Sequence, residues 1–138
     1  MMSPASVLRE FNARQRAILS ILDIARQELS YPYIEAWPAL VHHQQKIGSA
    51  MQRLQRFKHD NIFDPIITRG QSDKGIAEKL KADCVMLGGQ YDAFRQKWAK
   101  ADAGANWPEY RLSAISMMTT IRKSFSEQEA VIKTLALV

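Results

Sequence analysis

Apolar residues recur along this chain at alternating steps of four and three. That spacing places them on one face of an α-helix. The last long stretch shows it most fully. Trp107, Arg111, Ala114, Met118, Ile121, Phe125, Gln128, Ile132 and Leu135 form one seam. Asn106 stands as its N-cap, Pro108 falls in the first turn and Glu109 lies three residues after the cap. Asn accepts bonds from the free N–H groups of a first turn, and proline there loses no helical bond. A helix over 107–136 is the expectation.

Three earlier stretches repeat the pattern. A helix over 5–29, started by Ser3-Pro4, carries the seam Phe11, Gln15, Ile18, Leu22, Ala25, Leu29. Pro32 breaks it, because proline disfavours helix at the residue before it. A second helix over 35–67 turns Trp37, Leu40, Gln44, Ile47, Met51 and Leu54 inward. Its row then becomes polar: Gln55, Lys58 and His59 fall at or beside the inward direction before Ile62 and Ile66 resume it. Pro65 is expected to kink or end this helix. A third helix over 73–101, with Ser72 as its N-cap, has the cleanest seam: Ala77, Leu80, Cys84, Leu87, Tyr91, Phe94, Trp98. Helix-interior glycines weaken a helix, so Gly48 and the pair Gly88-Gly89 suggest close contacts between helices.

No stretch alternates as a strand does. Four amphipathic helices joined by short connections predict an all-α, antiparallel up-down-up-down four-helix bundle. With 138 residues, the chain forms a single domain over 1–138.

Composition narrows the setting. No apolar run approaches the ~20 residues of a membrane span, and no signal peptide is visible. Cys84 is the single cysteine, which excludes an internal disulfide and fits a reducing cytoplasm. The net charge is +5, with the basic residues spread over all helices. Arg53, Arg56 and Lys58 form the densest cluster, a candidate basic face. Without a recognition motif or interleaved aromatics, a solvated face is the reading, and nucleic acid is not the expected partner.

The seams contain residues that do not suit an apolar core. Gln15, Gln44, Gln55 and Gln128 form a candidate central polar layer of amides that pair with one another without charge. His42 and His43 are adjacent, about 100° apart on a helix, and do not share a metal easily. Cys84 reads as an apolar filler. The aromatics Tyr91, Phe94, Trp98 and Trp107 read as core. No nucleophile–base motif, phosphate loop or carboxylate pair is evident, so no catalytic residue is assigned.

The run Leu87-Gly88-Gly89-Gln90-Tyr91-Asp92-Ala93-Phe94-Arg95-Gln96-Lys97-Trp98, followed by Asn106-Trp107-Pro108-Glu109-Tyr110-Arg111, resembles the second half of bacterial hemerythrin-like (HHE cation-binding) domains. Phe125 to Ile132 is similar to their last helix, and His59 to Pro65 to the end of their metal-ligating second helix. The resemblance implies a four-helix bundle holding two irons through histidines and carboxylates, and a role in binding or sensing dioxygen. Carried over by residue, the first-helix histidine falls on Gln15 and the second-helix pair on Gln55 and His59. A shift of one residue gives Arg56 and Asp60. The third helix offers Cys84, Leu87 and Tyr91, and the paired acids fall on Gln128 and Glu129. Iron in such a site wants imidazole and carboxylate donors.

The expectation is therefore a non-enzymatic hemerythrin-like bundle that has lost its diiron site and carries no cofactor. Its role would lie in protein interaction or small-ligand binding. The alternative is an atypical metal-binding or dioxygen- or redox-sensing protein, with His59, Glu129 and Glu127 as residual ligands for iron. Tyr31, Tyr33 and Trp37 are the candidate contact of a homodimer.

Overall fold

The computed structural model describes residues 2–135. Helix α1 spans Pro4–Glu28, α2 Tyr33–Lys58, α3 Asp64–Arg69, α4 Lys74–Lys100 and α5 Trp107–Ile132. A π-helical turn, His59–Phe63, joins α2 to α3, so these three segments make one long second rod. The described residues are all-helical, without strands. Position 136, included in the expected last helix, lies outside the described residues.

The rods close into a ring: α1 packs on α2, α2 on α4, α4 on α5 and α5 on α1. The seams meet inside it. Phe11, Ile18, Leu22, Leu54, Ile62, Phe63, Ile121, Phe125 and Ile132 are among the residues of the larger core. A second core, rich in aromatics, gathers around Tyr110. The Tyr110 ring lies 5.1 Å from Trp37, 5.1 Å from Trp98 and 5.4 Å from Trp107 between centroids. These are the offset and edge-to-face separations aromatic rings favour.

The capping expectations divide. Ser3 does cap α1, accepting from the Ser6 N–H at 3.2 Å. Asn106 precedes α5 without a side-chain cap; its amide instead donates to the Asp102 carbonyl at 2.9 Å and braces the preceding turn. At α4 the cap position falls on Asp73 rather than Ser72, again without a side-chain bond. The α5 seam also differs in its first turns. Arg111 is exposed and Tyr110 is buried, since steps of three and four through Trp107 and Ala114 admit either residue.

Pro65 neither ends nor interrupts the second rod. A proline inside a helix removes one bond and crowds the carbonyl four residues back. Here the turn just before it widens, and the Asp64 N–H donates to the His59 carbonyl, five residues back. Pro65 then falls in the first turn of α3, where its missing N–H costs no bond. The Asn61 amide donates to the Phe57 carbonyl at 3.1 Å within the same turn. The rod finally stops at Gly70, whose φ of 65° is the left-handed conformation that favours glycine at a helix end.

Candidate functional site

The second rod buries Leu54, Phe57 and Lys58 in succession, just before the wide turn. Lys58 is 2% exposed, as deep as its apolar neighbours. Its Nζ donates to Gln128 Oε1 of α5 at 2.7 Å and lies 5.9 Å from the centroid of the Phe125 ring. The Gln128 amide nitrogen reaches the Leu80 carbonyl of α4 at 3.5 Å. Cys84, also on α4, borders the same small void as Lys58. A lysine, a cysteine and a glutamine from three rods thus meet in the bundle interior.

Burial decides the electrostatics of this cluster. It pushes the Lys58 amine below the usual lysine range, with the nearby Cys84 opposing the shift. It pushes the Cys84 thiol up, with Lys58 opposing. Removing a charge from water is costly, so each group is driven toward its neutral form. A void of about 10 Å³, roughly one water molecule in size, borders Lys58, Cys84, Gln55 and Gly88.

Outside this void, an open groove of about 740 Å³ runs between the second rod and α4. Met51, Gln55 and Gly88 line both the groove and the void and so form the partition between them. A methyl group placed on Gly88 would stand 2.8 Å from Gln55 Oε1. One on Gly48 would meet the Arg95 guanidinium. The glycines therefore admit polar side chains against helix backbone, rather than the backbone of a second helix. Gly89 is different: a Cβ there meets nothing within 4 Å, and the residue leaves the groove open. Gln52, Arg56, Asp60 and Asp92 add amide, positive and negative groups to the walls.

His59 sits on the π turn at the groove wall, its ring 5.9 Å from Phe63. Its Nε2 is buried without a hydrogen-bond partner among the described residues. Burial lowers its pKa, the positive charges of Lys81 and Lys58 add to the effect, and Asp64 and Asp60 oppose it.

The four glutamines do not form one layer. Gln15 is buried with its Oε1 unpartnered among the described residues, Gln44 donates to the Tyr110 hydroxyl at 2.5 Å, Gln55 faces Gly88 and Gln128 binds Lys58. Gln44 and Gln55 both lie on α2, eleven residues apart, which separates them by about 16 Å along the axis. Amides at different heights of a bundle find local partners instead of one another.

The expected metal ligands do not gather either. Glu127 and Glu129 flank Gln128, so each is turned about 100° from the inward seam. Glu127 is exposed and pairs with Lys123 at 4.0 Å; Glu129 pairs with Lys133 at 3.4 Å. Among the described residues no group of three His, Cys, Asp or Glu side chains is placed to hold a metal ion. The shifted pair Arg56 and Asp60 is exposed. At the positions that the hemerythrin resemblance would give to iron ligands stand Gln15, Gln55, His59, Cys84, Leu87, Tyr91, Gln128 and Glu129; only His59 and Glu129 carry an imidazole or a carboxylate, and His59 lines the groove while Glu129 pairs with Lys133. One imidazole and one carboxylate that do not meet, beside neutral amides, cannot supply the donor set of a diiron centre, and the residues do not fit it.

The basic face loses a member: Arg53 and Arg56 are exposed, but Lys58 is in the core. The register explains this, because Leu54, Lys58, Ile62 and Ile66 follow in steps of four down the inward row. His42 is exposed, whereas His43 contacts the Glu28 carboxylate at 3.2 Å. Of the aromatics assigned to a dimer contact, Tyr31 is exposed. Tyr33 stacks on Trp37 at 5.5 Å and meets the edge of Trp107 at 5.6 Å, so both belong to the second core. No known family, no curated protein and no solved structure matches the chain. Among the described residues no helix is long and apolar enough to cross a membrane.

Proposed function

We propose that the chain is a non-enzymatic, up-down-up-down bundle of hemerythrin-like descent that binds a small polar ligand in the groove between α2 and α4. The observation that carries this reading is Gly89. A glycine inside a helix costs about 1 kcal/mol relative to alanine. No neighbour within 4 Å of its missing side chain requires it for packing. Gly89 is an exposed residue of the groove wall, and the missing side chain leaves that stretch of wall open.

The walls indicate the chemistry of the ligand. Gln52 and Gln55 offer donors and acceptors, Arg56 a positive group, and Asp60 and Asp92 negative ones. Both signs of charge beside amides suit a zwitterion of amino-acid size better than a purely anionic or apolar compound. The buried, unpartnered Nε2 of His59 leaves one further polar contact unused. The interior of this bundle, with Lys58 and Gln128 in it, reads as a metal layer replaced by a hydrogen-bonded one.

Amide NMR spectra of the labelled protein, titrated with free amino acids and small amino-carboxylates, test the reading. Saturable shifts at Gly88, Gly89 and His59 are expected, and their loss in Gly89→Leu, whose side chain projects into the groove. Binding that survives in Gly89→Leu, or no saturable shift with any of these compounds, would overturn it.

A further inference from the structure

The seam between α2 and α4 carries a second groove, at the Trp37 end of α2 rather than the His59 end. Its volume is about 440 Å³, and Trp37 and Val41 of α2 and Asp92, Arg95 and Trp98 of α4 are among its lining residues. Arg95 is half-buried there, and among the described residues no hydrogen bond or ion pair holds its guanidinium. Its place depends on the facing rod. A Cβ at Gly48 would overlap a terminal nitrogen of Arg95 and stand 3.4 Å from its Cζ. A glycine inside a helix weakens that helix. At Gly48 the space so made is filled by a guanidinium lying against the backbone of α2. The charge has given up part of its water without gaining a partner. Its planar fork of N–H donors matches a carboxylate, which accepts from it in parallel.

The walls add a flat apolar surface. Trp37 and Trp98 come from the two facing rods, and both rings are already fixed. Tyr110 lies 5.1 Å from each of them between centroids. Tyr33 stacks on Trp37 at 5.5 Å, and Trp98 Nε1–H donates to Ser113 Oγ at 3.1 Å. Trp37 is only half-buried and keeps ring area open to the groove beside Val41. An aromatic ring packs on such a surface without first having to order it. Asp92, one helical turn before Arg95, lines the same groove, and its negative charge disfavours a dianion.

We propose that this second groove is a binding site for an aromatic monocarboxylate, with the carboxylate on Arg95 and the ring against Trp37. The site is independent of the zwitterion bound in the first groove: it needs no ammonium group on the ligand and makes no use of Gly89.

The test is a titration of the nitrogen-labelled full chain with benzoate, followed by NMR at the indole N–H groups of Trp37 and Trp98 and the amide of Gly48. Saturable shifts at all three are expected. Propionate, which lacks the ring, and benzyl alcohol, which lacks the charge, bind several-fold more weakly. Arg95→Gln weakens benzoate about tenfold, the usual worth of a charge-assisted hydrogen bond. Gly48→Ala keeps the charge but displaces the guanidinium, and weakens benzoate several-fold. Gly89→Leu, which blocks the first groove, leaves benzoate binding unchanged. No saturable shift with benzoate, an unchanged affinity in Arg95→Gln, or propionate binding as tightly as benzoate would overturn the proposal. Arg95→Gln removes no bond within the protein, so it decides the matter even where Gly48→Ala rearranges the helix contact.

Discussion

Lys58 Nζ and Gln128 Oε1 lie 2.7 Å apart in the interior of the bundle, although seventy positions separate them in the chain. Each is the condition for the other's burial. The amine needs an acceptor away from water, and the amide oxygen needs a donor.

A double-mutant cycle measures this dependence. Gln128→Leu leaves the Lys58 amine without that acceptor and is expected to cost about 1–3 kcal/mol, the usual range for a stranded buried polar group. Lys58→Met strands the Gln128 oxygen instead. The double variant Lys58→Met/Gln128→Leu replaces both by apolar groups and is expected to be more stable than Gln128→Leu alone. Urea unfolding of the four proteins checks it. Additive losses would sever the energetic link between the two residues.

The pH dependence of stability follows from the same burial. The folded chain binds the Lys58 proton less readily than the unfolded chain, whose lysine titrates near 10.5. Stability therefore climbs with pH from the lowered folded value of Lys58 up to 10.5. Tyr91 and Tyr110 act in the opposite sense. Burial raises both phenols, Tyr110 to about 12, and the unfolded chain gives up these protons near pH 10. Their contribution is complete below pH 10 and is lost as pH rises above it. Thermal unfolding across this range is expected to show a weaker rise below pH 10 in Lys58→Met and a weaker alkaline fall in Tyr110→Phe.

Tyr110→Phe also removes the hydroxyl that accepts from Gln44 at 2.5 Å while keeping the ring among Trp37, Trp98 and Trp107. The expected loss at neutral pH is about 1 kcal/mol, the net worth of one ordinary hydrogen bond. A loss of several kcal/mol in urea unfolding would mean that the aromatic core itself rearranges.

Gly89→Ala is expected to stabilise the protein by about 1 kcal/mol through helix propensity, because a Cβ there meets no neighbour within 4 Å. Gly88→Ala should do the reverse, since its methyl displaces the Gln55 side chain. Guanidinium unfolding of the two variants checks the contrast. Equal effects would remove the distinction between an open glycine and a filled one.

Elemental analysis of untagged protein from iron-replete cells is expected to find no stoichiometric iron. Two irons per chain, the expectation for hemerythrin-like proteins, would show that the ligands lie elsewhere than Gln15, His59, Cys84 and Gln128.

Helix period determined much of this protein from the sequence. Phe11, Ile18 and Leu22 in α1, Leu40, Ile47 and Leu54 in α2, and Ala77, Leu80, Cys84 and Leu87 in α4 are buried where the spacing of four and three places them. That spacing is a property of one helix and needs no knowledge of its neighbours. The local signal also marked Lys58 at or beside the inward direction, but its positive charge set it beside Arg53 and Arg56 on a basic face. Which of those readings wins depends on Gln128, which arrives from another rod. The choice between Tyr110 and Arg111 likewise depended on the partners Trp37 and Trp98. Pro65 shows the same limit within one rod: its effect was set by a turn that widened before it. Spacing along a helix fixes which face is inward. The height at which residues from different helices meet is fixed only by tertiary packing, and that height scattered the glutamines and joined a lysine to one of them.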